Sequence, residues 1–195
     1  MNFDWGYVVT GVVTLALGLV KYFTGKKKTD QGESDIAILK NKIAINTELH
    51  TLSNEINCPR VLLLYVNDGT GFADVGKPLE INIYDEAIDS NMESHLHLID
   101  ATITDYRYNV MLRELHNDND QFIITSEMED SLLRSFYLQM NIVCSYVFKV
   151  GQVGDSFYYM SVAFTELVKF DNKIKLYSQL SSNKIFKKLK NNEDV

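Results

Sequence analysis

Proline and cysteine are nearly absent from this chain of 195 residues, each occurring only twice. Two prolines, Pro59 and Pro78, exclude a proline-rich linker, and no low-complexity tract or internal repeat is present. The cysteines, Cys58 and Cys144, stand far apart and form no CxxC pair, so a disulfide-stapled scaffold and a zinc ribbon are excluded. Both are expected as reduced, buried thiols that pack like small hydrophobes. Positive charge is scarce too: 19 Lys and Arg face 26 Asp and Glu, for a net charge of −7. An acidic chain lacks the basic face that phosphate contacts need, so nucleic acid is not an expected partner. No GxSxG, HExxH or GxxxxGK[ST] run occurs, so neither an enzyme nor a cofactor-bearing protein is expected.

One long apolar run is present, at the N-terminus. WGYVVTGVVTLALGLV, from Trp5 to Val20, carries no charge. Extended to Phe23, it would span about 28 Å as a helix, near the thickness of a bilayer core. Trp5 and Tyr7 at one end and Tyr22 and Phe23 at the other resemble interfacial belts, and Lys21 can snorkel outward. Residues 1–23 are therefore expected to be a transmembrane anchor in a lipid bilayer. A basic cluster, Lys26, Lys27 and Lys28, follows it, with no Lys or Arg before Lys21. That asymmetry predicts a single-pass protein with its soluble part in the cytoplasm. Residues 24–34, polar with two glycines, read as a flexible linker.

A helix is predicted from Asp35. Its apolar residues form two series, Ile36, Leu39, Ile43 and then Ile45, Leu49, Leu52, Ile56, each stepping by three and four. The shift between them predicts burial on two sides, against its own domain and against a partner. RVLLLYV, residues 60–66, is a continuous apolar run and reads as a buried central strand. LEINIYDE, residues 79–86, alternates and reads as a half-buried strand. Residues 105–116 predict a helix with Tyr108, Met111, Leu112 and Leu115 inward, and QFIIT a short strand. Ser126 to Glu129 has capping-box spacing for another helix. Residues 143–150 and 156–164 predict a hairpin joined by GQVGD. Leu167, Phe170, Ile174 and Tyr177 predict a closing amphipathic helix, followed by a basic and polar tail over 183–195.

Candidate chemistry is thin. His95 and His97 would share a face on a strand near Glu93 and Asp100, but no third ligand at fixed spacing supports a metal. Asn67 to Gly71 is a glycine-containing loop without phosphate-binding spacing, and reads as an ordinary turn.

The element order and strand text resemble those of GAF-type sensor domains: a first helix leading into RVLLLYVNDGTG, then LEINIYDE, DYRYNVMLREL, QFIIT, SEMEDSLLRSFYLQMNIVCSYVFKV and SFYYMSVAF. The resemblance covers residues 35–182 and extends to small phage-type membrane-anchored proteins. It implies an α/β (α+β) fold, a GAF-like antiparallel sheet flanked by N- and C-terminal helices. It also implies a homodimer or higher homo-oligomer formed through those helices, at Ile36, Leu39, Ile43 and at Leu167, Phe170, Ile174. A small-molecule ligand is implied as well. A ligand would be held by the sheet face and the region 87–105, with Tyr65, Asn67, Tyr84, His97 and Tyr106 as the expected lining. The functional expectation is a noncatalytic, membrane-tethered module that dimerises and binds a small ligand or a protein. The alternative is a phage virion or holin-like protein in which the domain serves as an assembly platform.

Overall fold

A computed structural model describes residues 28–67, 79–92, 94, 101–103 and 106–193. The expected anchor, with Trp5, Lys21, Lys26 and Lys27, lies outside the described residues, as do His95 and His97. Among the described residues no helix is long and apolar enough to cross a membrane.

The elements run α1 Lys28–Ile56, β1 Arg60–Asn67, β2 Leu79–Ile88, β3 Ala101–Ile103, α2 Tyr106–His116, β4 Gln121–Ile124, α3 Leu132–Gln139, β5 Cys144–Val153, β6 Ser156–Phe164 and α4 Asn172–Glu193. Helix α1 thus begins at Lys28 and takes in residues 28–34, assigned by composition to the linker; no proline interrupts them, so the helix propagates through. The chain divides into two units within α1, after Lys40. In the first, Ile36, Ile38 and Leu39 are exposed. The second, Asn41–Asp194, holds the sheet.

That sheet has six antiparallel strands in the order β3-β2-β1-β6-β5-β4. β1 lies in the interior, and its unbroken apolar text follows from cover on both faces. Val61 and Leu63 point to one core with Ile45, Leu49 and Leu52 of α1 and Ile185 and Leu189 of α4. Leu62, Leu64 and Val66 point to a second core with Tyr108, Leu112 and Leu115 of α2. Cover on both faces also corrects the reading of β2 as half-buried. Asn82, Asp85 and Glu86 are all buried, and a bulge opposite Leu63 and Leu64 leaves Tyr84 as the extra residue.

Three helices close without glycine. Asn57, Asp118 and Asn141 take φ of 52°, 63° and 55° after α1, α2 and α3. After α1, the Asn57 and Cys58 amides donate to the Asn54 and Ser53 carbonyls at 3.3 and 2.8 Å, and equivalent pairs close α2 and α3. This is the left-handed closure that Asn and Asp tolerate because their side chains are short and polar.

Two further helix starts differ from the expected ones. The Thr125 hydroxyl donates to the Ile142 carbonyl at 2.7 Å and its amide to the Val143 carbonyl at 2.9 Å, tying residues 125–127 into a single 3-10 turn. α3 therefore starts later, capped by Ser131, whose Oγ accepts from the Arg134 amide at 3.1 Å. Likewise Asp171 caps α4, its carboxylate accepting the Ile174 amide at 2.9 Å. Leu167 and Phe170 thus precede the helix: Leu167 is exposed, and Phe170 packs tilted against Tyr146, 4.3 Å between ring centroids. Ile174 belongs to the core, and so do Ile185 and Leu189 of the expected tail. Of the six residues expected to pair helices, Ile36, Leu39 and Ile43 remain exposed on α1.

α4 approaches the sheet closely at Gly151, in the β5 bulge at φ 152°, where an added Cβ would stand 2.4 Å from the Phe186 ring. Ser178, Ser181 and Ser182 are buried along α4. Ser181 and Lys184 both donate to Glu48 of α1, at 2.8 and 3.0 Å. The β5–β6 turn narrows to Gly154 and Asp155, with Gly154 at φ 56°.

Candidate ligand cavity

A cavity of about 120 Å³ lies between the sheet and the helices α2 and α3. Its floor is Leu62 and Leu64 of β1, Ile81 and Ile83 of β2, and Val147, Tyr159 and Ser161 of β5 and β6. Its roof is Tyr108 and Met111 of α2, with Leu133, Phe136, Tyr137 and Met140 from α3 and its C-cap. Strand parity sorts the floor: Phe157, Tyr159 and Ser161 alternate with Tyr158, Met160 and Val162, which face α1 and α4. Among the described residues no charged side chain lines it.

The polar groups of the lining are hydroxyls. Tyr108 and Tyr159 meet oxygen to oxygen at 2.8 Å, and Tyr137 meets the Ser145 hydroxyl at 2.7 Å. Burial pushes the Tyr108, Tyr137 and Tyr159 phenols upward, so all three remain protonated. Close by, Arg60 is 1% exposed and its Nη1 lies 2.7 Å from the Met140 sulfur. Burial lowers the Arg60 pKa, and the opposite charge of Glu86 counters that.

Of the residues expected to line a ligand site, Tyr65 and Tyr84 meet each other, with ring centroids 6.4 Å apart, but not at this cavity. Tyr65 and Tyr84 lie on the opposite face, against Tyr158, with centroids 5.5 Å (Tyr65 to Tyr158) and 5.8 Å (Tyr84 to Tyr158) apart. The parity of β1 puts Tyr65 with Val61 and Leu63, and the alternation of β2 puts Tyr84 opposite Ile81 and Ile83. Asn67 is exposed and accepts from the Ser156 hydroxyl at 2.8 Å. His97 lies outside the described residues; Tyr106 opens α2, and its side chain is likewise not described. Tyr108 and Met111 were legible as inward-facing, but Tyr137, Tyr159 and Ser161 were not. Both faces of β6 are apolar, so no polar-apolar alternation marked its cavity face.

Both thiols are free and buried. They belong to the core under α1 and α4, and neither lines the cavity. The Cys58 Sγ donates to the Arg60 and Ala163 carbonyls at 3.0 and 3.2 Å, and burial pushes its pKa up to about 12. Among the described residues no group of three His, Cys, Asp or Glu side chains could hold a metal.

A six-stranded antiparallel sheet, terminal helices on one face and a cavity under shorter helices on the other define the GAF fold. Solved GAF domains superpose on the chain accordingly. The blue-light absorbing form of the Thermosynechococcus elongatus PixJ GAF domain matches with a TM-score of 0.56 and 13% identity, over 80% of this chain and 88% of that one. The phycoerythrobilin-bound GAF domain of a cyanobacterial phytochrome matches with 0.58 and 12%, over 86% and 96%. The GAF domain of a two-component sensor histidine kinase from Bacillus halodurans gives 0.54 and 11%, over 80% and 93%. No family model matches the sequence, and no curated protein does.

Proposed function

We propose that this chain is a noncatalytic, membrane-tethered GAF-like module that dimerises and binds a small apolar ligand between its sheet and α2 and α3. The observation that carries the ligand is the cavity, apolar but for hydroxyls, on the sheet face opposite α1 and α4. Its volume of about 120 Å³ limits the guest. An engineered apolar cavity of about 150 Å³ takes a benzene-sized molecule, and tetrapyrroles are several times larger. A bilin held covalently through a lining thiol is not part of this reading, because Cys58 and Cys144 lie under the other layer. The tether rests on the uncharged run from Trp5 to Val20 with Lys26, Lys27 and Lys28 after it, which also argues for a cytoplasmic domain. Dimerisation rests on exposed apolar residues of α1, Ile43 among them. The same exposed residues suit the second reading, an assembly platform in a phage virion or holin-like protein.

Nuclear magnetic resonance of the full chain, titrated with benzene, tests the ligand site. Shifts should fall on Leu64, Met111 and Tyr159 and leave Tyr65 and Tyr84 unmoved. Shifts confined to the Tyr65 face, or none at all, would sink the reading.

A further inference from the structure

The Tyr108–Tyr159 pair leaves a proton over. Two phenols carry two O–H donors, and one hydrogen bond between them uses one. Whichever oxygen accepts still has its own O–H to place. Among the described residues neither hydroxyl has a further acceptor, and both side chains line the cavity. The two residues are 6% and 1% exposed, so bulk water does not serve that donor. An unplaced buried donor is costly, and an acceptor brought by a guest removes the cost.

We propose that the cavity recognises a neutral ring-sized ligand bearing a carbonyl-type acceptor, with the spare Tyr108/Tyr159 hydroxyl donating to it. This deepens the ligand-binding reading above and rests on it. Neutrality follows from the described lining, which offers apolar surface and hydroxyls and no charged side chain to a guest. An anion would lose its hydration with no cation among the described lining residues, the nearby Arg60 lying behind Met140 with Glu86 as its counter-charge. The pair also makes the donor robust: removing either phenol leaves the other O–H, whereas removing both leaves none.

The test uses the full chain, the isosteric pair cyclopentanone and methylenecyclopentane, and the anion cyclopentanecarboxylate, with affinities from chemical-shift titration. The ketone is expected to bind roughly threefold to tenfold tighter than the alkene, the range one net hydrogen bond supplies, and the carboxylate not to bind. Tyr108→Phe and Tyr159→Phe should each keep the preference, and the double variant should lose it while still binding the alkene. Alkene binding in the double variant shows that the cavity is intact. Equal affinity for ketone and alkene in the unaltered chain, or a preference that survives in the double variant, overturns the proposal and leaves the ligand site standing. If neither the ketone nor the alkene binds, proposal and ligand site fall together.

Discussion

Burial holds the Cys58 thiol and the phenols of Tyr108, Tyr137 and Tyr159 in their neutral forms, and this couples stability to pH. Cys58 is raised from 9.0 to about 12 in the folded chain, with desolvation as the main cause. Its folded value lies above its unfolded one. The contribution is therefore complete below about pH 9 and is lost as pH rises toward 12, where an unfolded chain releases a proton that the folded chain retains. The tyrosines act in the same direction. Denaturant midpoints measured across this alkaline range should fall with pH, and less steeply in Cys58→Ala. A slope unchanged in that variant would show that Cys58 is not among the groups responsible. At this scale much was legible. Cys58 and Cys144 read as buried thiols from their isolation in the sequence, and Tyr108 read as inward from helical spacing. The partnership of Tyr108 with Tyr159 was not, because it joins residues on different elements that no local pattern relates.

Elements close against each other where side chains are small. β5 bulges at Gly151, and Phe186 of α4 lies where a Cβ would be. Gly151→Ala meets both a steric block and a φ of 152°. A loss of about 2 to 3 kcal/mol is expected, typical of overpacking combined with backbone strain, read as a lowered denaturation midpoint. A midpoint within about 0.5 kcal/mol of the unaltered chain would mean that α4 moves aside freely. Helix existence was readable from three-and-four spacing, but helix starts were not. Ser126 offered capping-box spacing and lost to Thr125, whose hydrogen bonds to residues 142 and 143 hold the chain in a turn. In the same way the spacing through Leu167 and Phe170 gave way to the cap at Asp171. A local period cannot register a tertiary hydrogen bond or a competing cap.

For the molecule as a whole, the proposed tether and dimer give a joint prediction. The full chain should sediment with membranes, resist alkaline extraction, and migrate in mild detergent as a concentration-dependent dimer. Ile43→Asp should shift that equilibrium to monomer without altering the fold, since Ile43 is 58% exposed. Release by alkaline extraction would count against the tether. A monomer at high micromolar concentration, or a dimer indifferent to Ile43→Asp, would count against pairing through α1.

The sequence by itself determined the order of elements, the central place of RVLLLYV and the inward face of α1 from Ile45 to Ile56. These depend on periodicity and composition, which are local. Only the tertiary structure decided which face of the sheet holds the cavity. β1 and β6 are apolar on both sides, so their parity is silent until helices cover each face. Successive residues of a strand also point to opposite faces, so neighbours in the text part company across the sheet. That is why Tyr65 and Tyr84, adjacent in the text to cavity residues Leu64 and Ile83, stand on the far side of the sheet from them.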